Sequence, residues 1–276
     1  MRLILSTLVA MIAFAANSVL NRWAVADLGT DPATFAAVRV AAGAGVLLGL
    51  MWLRGIGWPR GGARRICGVL SLAAYMVGFS AAYRVLDAGF GALILFGVVQ
   101  LTMFAGAAVA AEPPGPRKIA GAGVALAGLA VLVWPAGPVT APAGGVAAMV
   151  AAGIGWGVYS LSGRRETAPL AATGANFVLC LPLVLVPLVW TGVSATAGGI
   201  VVAALAGGVT SGLGYALWYR VVPRLGASVA GIAQLCVPVI AALGGALFLG
   251  EAVGMRFVVA AALVLGGIAL SLGRAA

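Results

Sequence analysis

Between Ala233 and Glu251 the chain is apolar for the length of a membrane crossing, with one amide, Gln234, and one proline, Pro238, inside the run and a carboxylate at its end. A spanning helix needs roughly 20 such residues. Of 276 residues, 63% are hydrophobic and 8% charged. A soluble chain of this size cannot hide that much apolar surface, so lipid is its solvent. Ten apolar segments can be drawn, at 3–22, 33–53, 66–86, 90–111, 119–136, 144–162, 169–190, 198–219, 227–249 and 257–272. Their Gly, Ala and Leu runs lack two-residue alternation, which favours helices over a lipid-facing barrel. The expected class is an all-α integral membrane protein with ten transmembrane helices.

The net charge of +10 comes from residues in the short breaks between these segments. That is a topology signal and not a nucleic-acid surface. With the N-terminus inside, the inner loops hold Arg2, Arg54, Arg60, Arg64, Arg65, Arg117, Lys118, Arg164, Arg165, Arg220, Arg224 and Arg274. The outer side holds Arg22, Arg84 and Arg256, and Arg39 lies within a span. This bias expects both termini in the cytoplasm of a bacterial cell, the protein crossing the inner membrane many times. The first residues resemble a secretory leader, with Ala13 to Ala16 as a cleavage-like sequence. Cleavage there would destroy one copy of the repeat described next, so the segment is expected to stay.

The sequence repeats itself. Ile12 to Arg22 lines up with Ile154 to Arg164, and Phe35 meets Phe177 at the same offset. Tyr83-Arg84-Val85 meets Tyr219-Arg220-Val221, and Glu112 meets Glu251. The units, 1–137 and 143–276, hold five segments each. An odd number inserts the second unit upside down relative to the first, the inverted-repeat architecture of secondary transporters, with the site near the midplane.

On these repeats, on the segment from Pro238 to Glu251, on the block from Gly91 to Thr102 and on Gly266-Gly267, the chain resembles the drug/metabolite transporter superfamily in its ten-helix EamA-type branch. The resemblance covers the whole chain. It implies a carrier of small metabolites, commonly an amino-acid or metabolite exporter, working without a cofactor. One departure stands out: the fourth segment has Val99 where the ninth has Pro238. Of these two related helices only the ninth is therefore expected to carry a proline hinge, while Pro182 and Pro187 are expected to break the seventh segment similarly.

Candidate binding residues follow from helical spacing. Phe14, Asn17 and Asn21 share a face, as do Tyr75, Phe79 and Tyr83; Phe96, Gln100 and Phe104; Trp156, Tyr159 and Gly163; and Ser211, Tyr215 and Tyr219. Aromatic faces with polar handles suit a cavity for an amphipathic small molecule. The expected substrate contacts are Asn17, Tyr75, Phe79, Gln100, Trp156, Tyr159, Tyr215 and Gln234, with Pro238 as hinge. Tyr83, Trp218 and Tyr219, near segment ends, read more readily as interfacial anchors or as packing at the rim. Arg39 reads as an outer-mouth charge, either paired with Asp27, Asp31 or Asp87 or attracting a substrate carboxylate.

All six acids fall at segment ends or in loops, and histidine is absent. No intramembrane proton relay is visible, which favours export down the substrate's own gradient. Cys67, Cys180 and Cys236 form no framework or metal pair. No phosphate loop, nucleophile triad or metal cluster appears, so an enzyme is not expected. The expected function is amino-acid or small-metabolite export by alternating access. A multidrug or lipophilic-compound exporter is the alternative, although such carriers usually want a buried carboxylate. The expected partners are a small-molecule substrate and the bilayer; self-association is left open.

Overall fold

A computed structural model describes residues 2–59, 61–86, 88–133, 142–164, 166–250 and 255–272. The described residues are mostly helical: α1 (Arg2–Arg22), α2 (Pro32–Leu53), α3 (Ala63–Ala82), α4 (Ala88–Val109), α5 (Pro116–Val133), α6 (Ala143–Gly163), α7 (Pro169–Leu185) with a short α8 (Leu188–Thr191), α9 (Ala197–Leu205), α10 (Gly214–Leu225), α11 (Ala227–Gln234), α12 (Val237–Leu249) and α13 (Met255–Leu272). No strand occurs among the described residues. Among them, seven helical stretches are long and apolar enough to cross a membrane. Segments Ile94–Val109 and Val258–Ser271 are shorter and also apolar.

Three stretches depart from plain helix. The turns at Trp23–Asp27 and Ala206–Leu213 are π-helical, a widening that recurs at functional sites. The ninth segment is two helices, broken at Leu235 and Cys236. Pro238 is the second residue of α12, where a missing N–H costs nothing. The expected kink inside one helix is instead the start of a new one. Pro187 likewise separates α7 from α8, whereas Pro182 lies inside α7.

Local chemistry sets the helix ends. The Asp31 carboxylate accepts from the backbone N–H groups of Ala33 and Thr34, both at 3.0 Å, with Pro32 opening α2. Gly250, at φ 70°, closes α12 in the left-handed conformation that glycine tolerates best.

Packing runs mostly between the two sequence halves. α3 lies on α6, α2 on α7 and on the π turn at Ala206–Leu213, α4 on α6, α11 and α12, and α1 on α10 and α12. α5 and α13 pair with each other at the side. Glycine permits the closest approaches. A Cβ on Gly207 would overlap the backbone of Arg39, and one on Gly43 would strike the Phe177 ring.

The two ends of the bundle are stitched differently. At one end Asp31 donates its N–H to the Ser194 carbonyl (2.8 Å), Ser194 donates to Thr34 Oγ1 (3.1 Å), and Thr191 donates to Asp31 Oδ1 (3.3 Å). The opposite end is joined by charge. Arg65 pairs with Glu166 at 3.4 Å and Arg164 with Glu112 at 2.8 Å. Arg65 also donates to the Ala172 carbonyl and to Asn176 Oδ1, at 2.9 and 2.8 Å. Each of these contacts bridges the two halves. Glu251 and Asp87 lie outside the described residues.

Candidate functional site

The interface between the halves closes around aromatic rings. Trp156 of α6 lies 4.6 Å from Tyr215 of α10, 4.9 Å from Tyr75 of α3 and 4.9 Å from Phe14 of α1, centroid to centroid. Phe14 meets Trp156 edge to face, with the planes at 84°, a favoured arrangement for ring quadrupoles. Tyr75 continues to Phe79 at 5.1 Å, and Trp156 continues through Tyr159 at 5.6 Å to Tyr219 at 4.6 Å. Most of these rings come from helix faces spaced at three or four residues, so the pattern read from sequence produces one continuous cluster.

Polar groups close the cluster at two places. At the first, Arg39 of α2 donates from Nε to Ser211 Oγ (2.7 Å) and from Nη2 to the hydroxyls of Tyr215 (2.6 Å) and Tyr75 (3.3 Å). Its guanidinium carbon stands 5.5 Å from the Tyr75 ring centroid and 5.3 Å from that of Phe79, within cation–π range. Asn17 Oδ1 accepts from Thr210 at 2.6 Å and from Ser211 at 2.9 Å. Thr210 and Ser211 are neighbours in the π turn, whose wider winding lets both reach one acceptor.

At the second place, the Trp156 indole N–H donates to Gln234 Oε1, and the Gln234 amide donates to the Ala230 carbonyl at 3.1 Å. Gln100 of α4 packs over Gly231, one turn before Gln234; an added Cβ there would sit 3.2 Å from Gln100 Oε1. Both amide atoms of Gln100 and the Nη1 of Arg39 are buried without a hydrogen-bond partner among the described residues.

All eight expected contact residues are buried, and they fall into this one cluster or its two polar ends. Arg39 differs from the outer-mouth expectation. It is 0% exposed, and its partners are hydroxyls and rings. Asp31, one of its expected acidic partners, is spent on the cap of α2. Tyr83, Trp218 and Tyr219 are also buried and are not interfacial anchors. Trp218 donates to Ser160 Oγ at 3.0 Å, and Tyr219 donates to the Tyr159 carbonyl at 3.0 Å. Sequence reasoning missed Thr210 and the Arg65–Asn176 contact. Their only signal was a polar side chain inside an apolar segment.

The cluster is tightly closed. The space bounded by Phe14, Ser18, Tyr75, Phe79, Leu95, Phe96 and Trp156 measures about 10 Å³, no more than a single water requires. Two wider hollows open at the charged end. One, of about 600 Å³, is lined by Arg54, Glu166, Tyr219, Arg220 and Arg224 among others. The second, of about 640 Å³, includes Arg64, Cys67, Glu112 and Arg164. Tyr219 belongs both to the first hollow and to the aromatic chain that leads to Trp156. Among the described residues no Asp or Glu is buried and no group of His, Cys, Asp or Glu is placed to hold a metal.

Known proteins are similar to this chain in sequence and in fold. The model of the EamA-like transporter family matches residues 1–134 and again 143–273. A relative in Pseudomonas aeruginosa, "Uncharacterized protein PA1977", is 43% identical over 283 residues, covering 100% of this chain and 97% of the relative. A solved crystal structure aligns with a TM-score of 0.81 at 20% identity, over 98% of this chain and 97% of its own, and so shares the fold. Two family matches that together span nearly all of the sequence, on a bundle of apolar helices, show that the chain is a multi-pass membrane protein belonging to the EamA-like transporter family.

Proposed function

We propose that the protein is a secondary transporter of the bacterial inner membrane that exports amino acids or related small metabolites by alternating access. In this reading ten helices form two inverted five-helix repeats, 1–137 and 143–276, with both termini in the cytoplasm. The carrying observation is the closed aromatic cluster between the halves, which ends in polar groups with hydrogen-bonding capacity to spare. Such a site fits an amphipathic small molecule: rings for its body, amide and guanidinium groups for its polar end. Asn17, Tyr75, Phe79, Gln100, Trp156, Tyr159, Tyr215 and Gln234 are its proposed contacts.

The two kinds of closure support alternating access. The hydrogen bonds around Asp31 and Ser194 hold one end, and the Arg65–Glu166 and Arg164–Glu112 pairs hold the other. Rocking one half against the other breaks one set while keeping the other. With arginine concentrated inside, the ion-paired end faces the cytoplasm. A buried cation repels lipophilic cations, which weighs against the multidrug alternative. The same cation, with no buried acid among the described residues to exchange protons, suits a carrier driven by its substrate's own gradient.

The test is counterflow in proteoliposomes. A labelled small metabolite drawn from amino acids, their N-acylated analogues and small organic acids should enter vesicles preloaded with the same unlabelled compound, and its flux should saturate. A non-saturating flux would indicate a pore and refute the carrier. A reporter fused to the C-terminus should be active only in the cytoplasm; a periplasmic signal would refute the ten-span topology.

A further inference from the structure

Arg39 is the sole buried charge among the described membrane-embedded side chains of the cluster, and its partners among the described residues are all neutral. A guanidinium keeps its proton in a protein and presents five N–H donors in a planar fork. Here the Nε and Nη2 edges are taken by neutral oxygens, while Nη1 has no acceptor. Burying a cation without a counter-charge is expensive. Two hydroxyls and a serine would hold a neutral residue at less cost, so packing alone does not account for an arginine. The hollow leading toward the cluster through Tyr219 adds Arg54, Arg220 and Arg224 against a single carboxylate, Glu166, and a vestibule of that sign concentrates anions.

We propose that Arg39 is the anchor for a substrate carboxylate and that the transported species is a monoanion, a small organic acid whose amino group, if it has one, is uncharged. The inference rests on the reading of the aromatic cluster as the substrate site and names the chemical class that this site takes. Nη1 keeps two N–H donors for a carboxylate, and a hydrogen bond from a guanidinium to a carboxylate is charge-assisted. The apolar body then lies against Tyr75, Phe79 and Trp156. No buried acid is present among the described residues to receive an ammonium group, so a zwitterion leaves the site with its positive charge, whereas a monoanion neutralises it. Each turnover moves one negative charge outward, and an inside-negative membrane potential drives it. At about 100 mV one charge sustains a gradient of about 50-fold.

Three probes of one skeleton test the charge: N-acetyl-L-phenylalanine (anion), L-phenylalanine (zwitterion) and L-phenylalanine amide (cation). Counterflow of labelled N-acetyl-L-phenylalanine is measured in proteoliposomes against protein-free vesicles, with potassium and valinomycin setting the potential. The expected result is saturable flux of the anion, accelerated from the negative side. Competition by the zwitterion should be at least tenfold weaker, with none from the cation. Arg39→Lys should retain reduced flux and Arg39→Gln should lose it. Equal competition by all three probes, flux indifferent to potential, or no saturable flux of the anion each overturns the proposal. Because the probe series runs on the unaltered protein, it decides even if Arg39→Gln fails to fold. Flux that ignores charge but collapses in Trp156→Ala would overturn the monoanion alone. Flux untouched by Trp156→Ala would instead overturn the aromatic cluster as the site.

Discussion

Trp156 donates its indole N–H to Gln234, and Gln234 is the last residue of α11 before the chain breaks at Leu235 and Cys236. One side chain therefore touches the rings of the cluster and the residue next to the break. Movement of Trp156 to admit a substrate must disturb the end of α11. Trp156→Phe keeps an aromatic ring and removes this bond. Because a buried hydrogen bond is worth about 1 kcal/mol, binding should weaken by roughly fivefold. Counterflow should slow further, since the break loses its link to the site. An equal loss in binding and in transport would show that the bond only positions substrate.

Pro238 opens α12 and keeps the break from healing into a continuous helix. In Pro238→Ala a backbone N–H becomes available, and the span can run straight. Transport should slow more than binding weakens, measured by counterflow beside equilibrium binding on one preparation. Unchanged transport would remove the hinge.

Gly207 touches the backbone of Arg39 closely enough that a Cβ would overlap it. Gly207→Ala must push α2 away or shift the π turn, at about 1–3 kcal/mol for an overpacked interior. Gly45→Ala meets no neighbour within 4 Å and should be neutral. Thermal unfolding of the detergent-solubilised variants should lower the melting temperature for Gly207→Ala alone.

The Arg164–Glu112 pair lies across the halves, with the Glu112 side chain 57% exposed. An exposed pair of this kind adds little stability, up to about 1 kcal/mol, so its interest is geometric. With Cys67 replaced by Ser, cysteines at 112 and 164 should be bridged by a short bis-methanethiosulfonate reagent, which spans the gap left by the two long side chains. The cross-link should block counterflow, and a reductant should restore it. Undiminished flux in the cross-linked protein would show that these two positions need not separate during the cycle.

Much of this site was legible because helical periodicity is a local rule. Phe14 with Asn17, Tyr75 with Phe79, and Trp156 with Tyr159 are each one helical step apart, and a face bearing both rings and amides has no business against lipid. The relations between helices were not legible. Arg39 meets Ser211 and Tyr215 only because Gly207 and Gly43 let α2 approach the π turn, and periodicity says nothing about which faces meet. The misreading of Tyr83, Trp218 and Tyr219 has the same origin. A position near the end of an apolar segment resembles the membrane surface until neighbouring helices are seen to cover it. The π turn at Ala206–Leu213 had no clear signature beyond its glycines, and the break at Leu235 lies three residues before the proline that announced it.

A structure of the protein with a transported substrate bound tests the central claim most directly. Density should lie between Trp156 and Tyr215, within hydrogen-bonding distance of Arg39, with the rings spread to make room for it. Density confined to the apolar groove between α1 and α12, lined by Ile12, Val19, Ile240 and Phe248, with the aromatic cluster still closed, would contradict the account.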